Sequence, residues 1–164
     1  MDVIVGWEGA PADAPHLTSI QDEILRAALA EPAISVHTIG YPGAADEPLW
    51  RLEGRWRISP PGAARDFHIM LAPLIRPPVD GAALAKRATA VMRAGVPVIA
   101  TARWPLRGLI VDGVTGILIP QHRVRDWNRA ILSLAQDARR RTAMGQAAAQ
   151  AMAAMNSTQG RGRA

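Results

Sequence analysis

Short apolar runs alternate with longer amphipathic stretches along this chain, the pattern of βαβ units wound around a parallel sheet. Residues 3–5 (VIV) are apolar without alternation, as in a strand covered on both faces. The Gly/Pro-rich GWEGAPADAP that follows is expected to be a loop. Over residues 17–29 the side chains of Leu17, Ile20, Ile24, Leu25 and Ala28 fall on one helical stripe, which predicts a helix. Ile34, Val36 and Thr38, closed by Gly40, predict a second strand. YPGAADEP reads as a loop, and residues 51–58 as a weaker third strand.

The second half repeats the theme. FHIMLAPL is a strand running into Pro73, and IRPPVD cannot be helical. Residues 82–94 form an Ala-rich helix with Gly95 as its C-terminal stop, and PVIAT is a buried strand. WPLRGLIVDG has room for a short helix at most, before TGILI, the last strand. Val124, Trp127, Ile131 and Leu134 mark an amphipathic helix. Asp137 reads as the N-cap of another that carries Met144, Ala148, Met152 and Met155. After Asn156 the polar, Gly-rich STQGRGRA is expected to be disordered. Right-handed crossovers between these strands give a doubly wound, mostly parallel, Rossmann-like α/β sheet over residues 1–155, with residues 156–164 as a tail.

Composition narrows the picture modestly. The chain has 164 residues, the length of one domain, and its apolar share leans on alanine, with one Phe and one Tyr. The lack of cysteine removes disulfide frameworks and thiolate metal sites. With no basic, apolar leader and no stretch near the ~20 apolar residues of a membrane span, the expected place is the cytoplasm. The net charge is +5, and Lys86 is the single lysine among the basic residues. That balance suits a solvated arginine surface, a phosphate-bearing ligand, or peripheral contact at the inner membrane face. Nucleic acid is not expected, because no recognition motif accompanies the charge.

Catalytic patterns are absent from the sequence. His16, His37, His68 and His122 lack ligand spacing and read as surface or capping residues, so no metal and no cofactor is expected. No Ser/His/Asp or paired-carboxylate arrangement can be argued, and no catalytic residue is assigned.

Four segments carry a resemblance: HIMLAPL, AGVPVIAT, IVDGVTGILI, and W-x-x-A-I-x-x-L-x-x-D-x-x-x-R-x-x-M-G over residues 127–145. In order and spacing they resemble the C-terminal, nucleotide-sugar-binding domain of retaining GT-B glycosyltransferases of the group 1, family-4-like kind. IVGWEGAP and SVHTIG extend the likeness over about residues 3–155.

The resemblance implies a donor site at the C-terminal strand edge. Backbone amides of the Gly6–Gly9 loop would meet phosphate, and backbone near Ile58 the base. Lys86 or Arg87, the latter in better register, would meet the pyrophosphate, with Trp104 and Arg107 near the donor sugar. It also implies two glutamates eight residues apart, and those positions hold Ala82 and Ala90. The expected function is therefore glycosyl transfer from a nucleotide-sugar by a domain with a degraded donor site and no acceptor half. The alternative is a non-catalytic binding or scaffold relative. Trp7 and Trp104 are expected on one exposed side, where the chain would meet itself or an acceptor-domain protein.

Overall fold

The computed structural model describes residues 2–41, 48–52 and 54–161. Its centre is a six-stranded, wholly parallel sheet of β1 (Val3–Glu8), β2 (Ile34–Ile39), β3 (Trp56–Ile58), β4 (Ile69–Ala72), β5 (Val98–Thr101) and β6 (Gly116–Ile119). The strand order is β3-β2-β1-β4-β5-β6, a doubly wound topology with its switch point between β1 and β4. Among the described residues, α1 (Ala14–Thr18) and α2 (Gln21–Ala30) connect β1 to β2, α3 (Gly81–Arg93) connects β4 to β5, and α4 (Asp126–Ala135) and α5 (Ala138–Arg161) follow β6 and pack back on the sheet.

Because strand side chains alternate between faces, β4 feeds two cores. Ile69 and Leu71 join Ile24, Trp127 and Ile131 under α2 and α4, while Met70 and Ala72 join Ala88, Val91, Met92 and Met152 under α3 and α5. All these side chains are buried. Fully burying a residue of the Leu/Ile/Met class contributes about 1.5–3 kcal/mol. Small residues set the helix spacing, since α3 and α5 meet where Ala88 and Ala148 are wholly buried.

The turn from α3 into β5 depends on two glycines. Gly95 takes a φ of 81°, the left-handed value that ends the helix. Gly145 of α5 presses on that turn, and a Cβ there would overlap the Gly95 carbonyl oxygen. The turn into β6 is built as the sequence suggests. Gly113 has φ 78°, Thr115 Oγ1 accepts from Val111 N at 2.9 Å, and Asp112 Oδ1 accepts from Leu118 N at 2.9 Å. Asp137 caps α5 by accepting from Arg140 N at 2.9 Å.

Several boundaries differ from the expectations. β1 runs on through Gly6, Trp7 and Glu8, which pair with His37, Thr38 and Ile39 of β2, so all of GWEG before Gly9 is strand and not loop. The helix expected over residues 17–29 is two helices, broken at Ser19–Ile20, where Ser19 Oγ donates to the His16 carbonyl at 2.6 Å. The third strand shrinks to β3, preceded by a 3-10 turn over Pro48–Leu52. Arg55, between them, donates to the carbonyls of Ala28, Glu31 and Ile34 and ties the end of α2 to the sheet. The loop expected over residues 41–48 lies largely outside the described residues. Helix α5 is continuous to Arg161, past Asn156, and residues 162–164 lie outside the described residues.

Candidate functional site

At the switch point the chain leaves β1 at Glu8 toward α1 and leaves β4 at Ala72 toward α3, and the divergence opens a crevice. Its polar lining is Glu8, Asp13, His16, Asp80 and Arg87, around a cavity of about 20 Å³. Two of the three carboxylates have structural duties. Asp80 Oδ1 caps α3 by accepting from Ala83 N at 2.9 Å, and Asp13 Oδ2 accepts from Ala10 N at 2.8 Å. Arg87 reaches Asp13 at 3.8 Å. That is longer than the ~2.7–2.9 Å of a charge-assisted hydrogen bond, so the guanidinium is loosely held.

His16, on α1, is 2% exposed. Its Nδ1 accepts from Ile75 N at 3.1 Å, so the neutral ring carries its hydrogen on Nε2. That Nε2 is buried without a hydrogen-bond partner. Burial, with Arg76 and then Arg103 adding to it against Asp13, holds the His16 pKa below its usual value and keeps the ring neutral. The sequence offered no local sign of this role. The contact that fixes the tautomer comes from a residue 59 positions away.

Beside the crevice lies a wider groove of about 650 Å³, between α3 and the 3-10 turn at Ala63–Asp66. Its charged lining is Arg65, Lys86, Arg87 and Arg93 against the single carboxylate of Glu8, with Ala90 also on its wall. Glu8 and Arg87 therefore belong to both spaces. The Glu8 carboxylate makes no hydrogen bond or ion pair with another described residue.

The residues singled out from the sequence divide accordingly. Lys86 is exposed on the groove wall and Arg87 half-buried between groove and crevice. Gly6 and Gly9 do not offer free amides to a phosphate. Gly6 is inside β1, with the Phe67 ring where its Cβ would be, and Gly9 N donates to Ile39 O at 3.1 Å. Ala10 N is taken by Asp13. Ile58 is exposed at the end of β3 and lines a separate hollow with Leu49, Gly54 and Trp56.

Trp104 is exposed and its ring lies over Gly81 at the start of α3, while Arg107 is exposed in the 3-10 turn Leu106–Gly108. Trp7, expected to be accessible beside Trp104, is 4% exposed and packs edge-on against Tyr41 at 6.0 Å. Continuing β1 through Trp7 turns the indole into the core under α2.

His68 and His37 have structural contacts, and His122 is exposed in the turn after β6. His68 Nδ1 accepts from Ile4 N at 2.8 Å, and the His37 ring nitrogens lie at 3.2 Å from Ser35 Oγ and 3.3 Å from Ser59 Oγ. Among the described residues no cluster of three His, Asp or Glu has metal-holding geometry, and no helix is long and apolar enough to cross a membrane.

Residues 84–151 match the family model of glycosyl transferases group 1. The D-inositol 3-phosphate glycosyltransferase of Kineococcus radiotolerans is 32% identical over 108 residues, which are 60% of this chain and 25% of that protein. The chain thus spans about a quarter of that curated relative's length. Anabaena HepE in complex with UDP and glucose superposes with a TM-score of 0.75 at 15% identity, over 92% of this chain and 43% of that one. The C-terminal domain of LpcC, a glycosyl transferase group 1 family protein from Francisella tularensis, gives a TM-score of 0.71 at 16% identity, over 92% of this chain and 84% of that one.

Proposed function

We propose that this chain, which matches the group 1 glycosyltransferase model over residues 84–151 and shares the fold of GT-B enzymes, binds a nucleotide-sugar through the cationic groove of Arg65, Lys86, Arg87 and Arg93, as the donor-binding part of a glycosyl transfer enzyme. The observation that carries this reading is the charge of the groove: four cations face one carboxylate in a space of about 650 Å³, within the range of ligand pockets. A diphosphate supplies the missing negative charge, with the half-buried Arg87 as its strongest partner. Glycosidic chemistry on such a donor needs its leaving diphosphate neutralised as the bond breaks, which guanidinium groups do without proton transfer.

Ala82 and Ala90 are exposed on α3 and cannot accept a ribose hydroxyl. Each absent charge-assisted hydrogen bond removes roughly 1.5–3 kcal/mol, so we expect a dissociation constant on the order of 100 μM or weaker. The same alanines favour a second reading, in which the domain binds a donor without transferring from it. The acceptor side would be supplied by other sequence, a partner chain or a second copy, and peripheral membrane contact would accompany a lipid-borne acceptor.

Calorimetry with UDP, GDP and ADP and with their sugars tests the reading. Binding of one of these series, lost in the Lys86→Ala/Arg87→Ala double variant, is the expected result. Binding that the double variant leaves intact would place the site elsewhere.

A further inference from the structure

A buried donor without a partner calls for an acceptor. His16 Nε2–H is such a donor, fixed in that tautomer by Ile75 N and lining the crevice at the switch point. The crevice holds about 20 Å³, enough for one oxygen-sized occupant. The charge of its lining says what kind of oxygen. Three carboxylates, Glu8, Asp13 and Asp80, line it against one lining guanidinium, that of Arg87, with Arg76 and Arg103 acting on His16 from outside the lining, so the walls themselves disfavour a phosphate oxygen. A hydroxyl is not disfavoured, because it accepts from one neighbour and donates to another.

We propose that His16 recognises a hydroxyl of the sugar carried by the nucleotide. Nε2–H donates to the hydroxyl oxygen, and the hydroxyl hydrogen is taken by Glu8, whose carboxylate is otherwise unpaired among the described residues. Glu8 and Arg87 line both spaces, so a ligand with its diphosphate in the groove has its sugar at the mouth of the crevice. His16 is then a specificity residue for the sugar and plays no part in holding the nucleotide. This rests on the groove being the nucleotide site.

The test follows the ¹⁵N and ¹H resonances of the His16 ring and of the Arg87 guanidinium in the full chain. UDP, UDP-glucose, UDP-N-acetylglucosamine, GDP and GDP-mannose are titrated in turn. The expected result is that the nucleoside diphosphates move Arg87 alone and that at least one sugar-bearing donor also moves His16 Nε2. Calorimetry on His16→Leu should show the sugar's added affinity reduced about 3- to 10-fold, with the bare diphosphate bound as before. If that variant fails to fold, the wild-type titration decides. Donors that move Arg87 and leave His16 unmoved overturn this inference and leave the groove reading standing. If none of the five ligands moves Arg87, both fall.

Discussion

The groove and the crevice share two side chains and yet have opposite character. In the groove Glu8 is outnumbered by four cations, whereas in the crevice Arg87 is outnumbered by three carboxylates. Their origins differ as well. The groove's Lys86, Arg87 and Arg93 come from one helix, α3, so their register is written in local sequence. The crevice is assembled from β1, α1, the turn before it, the end of β4 and the start of α3, pieces that meet because the sheet reverses its winding between β1 and β4. A cationic helix face can be inferred before folding; a buried donor set between strand ends cannot.

The sharpest way to break the comparison is to remove the groove's cations. Lys86→Ala with Arg87→Ala should weaken nucleoside diphosphate binding about 100-fold, because at least one charge-assisted contact worth roughly 1.5–3 kcal/mol is lost. The fold should persist, since Lys86 is exposed and Arg87 makes a single long ion pair. A calorimetric titration of the double variant against wild type reads the outcome. The converse change is Ala90→Glu, on the groove wall. If the ribose lies beside this position, the new carboxylate should strengthen UDP binding about tenfold and leave 2′,3′-dideoxy-UDP unimproved. Equal effects on both nucleotides would remove the ribose from Ala90.

The division between local and assembled features also explains what could be read beforehand. The doubly wound sheet was legible because β4 and β5 are short buried runs, β2 and β6 carry spaced or consecutive β-branched and aliphatic residues, and Gly40, Pro73, Gly95 and Gly113 punctuate them. Arg87 was singled out through the family resemblance, and its half-buried place follows from its position on α3 beside the buried Leu84, Ala88 and Val91. Gly6, Trp7 and Gly9 were misread for a common reason. A Gly-Trp-Glu-Gly stretch looks like a loop, but β2 continues through Thr38 and Ile39 and supplies ladder partners that hold it as strand. Trp7 is then buried by strand alternation, and the Gly9 amide is consumed by Ile39. His16 was hidden because its partner, Ile75, lies in a different half of the chain.

Glu8→Gln acts on both spaces and should separate them. In the groove it removes the one negative charge facing the diphosphate, so bare UDP should bind about two- to fivefold more tightly. In the crevice it replaces an acceptor with a group that can also donate, so the affinity added by the sugar should shrink by a similar factor. A gain for bare UDP with a loss in the increment added by the sugar, nearly cancelling in the UDP-sugar itself, is the signature expected of a shared residue. The same sign for both would mean that Glu8 serves a single space.

The smallest effect expected is on stability, through protons. His16, His37 and His68 all have pKa values held below the usual 6.5, chiefly by burial, helped by Arg76, Arg57 and Arg141 respectively. Between those lowered values and 6.5 the unfolded chain binds more protons than the folded one, so folding stability rises with pH there and falls as the medium is acidified. Each histidine can contribute a slope of up to ~1.4 kcal/mol per pH unit, reached only where its folded form is neutral and its unfolded form charged. Denaturant unfolding at about pH 7.5 and about pH 5.5 should therefore show a loss at the lower pH. His16→Gln removes one titrating group and should flatten that loss by about a third if the three histidines act alike. Because His16 is the crevice donor and His37 and His68 are not, a sugar-bearing donor should deepen the pH dependence in wild type. It should not do so in His16→Gln. A ligand that steepens the profile equally in both proteins would detach His16 from the sugar and return it to the core as a buried, neutral packing residue.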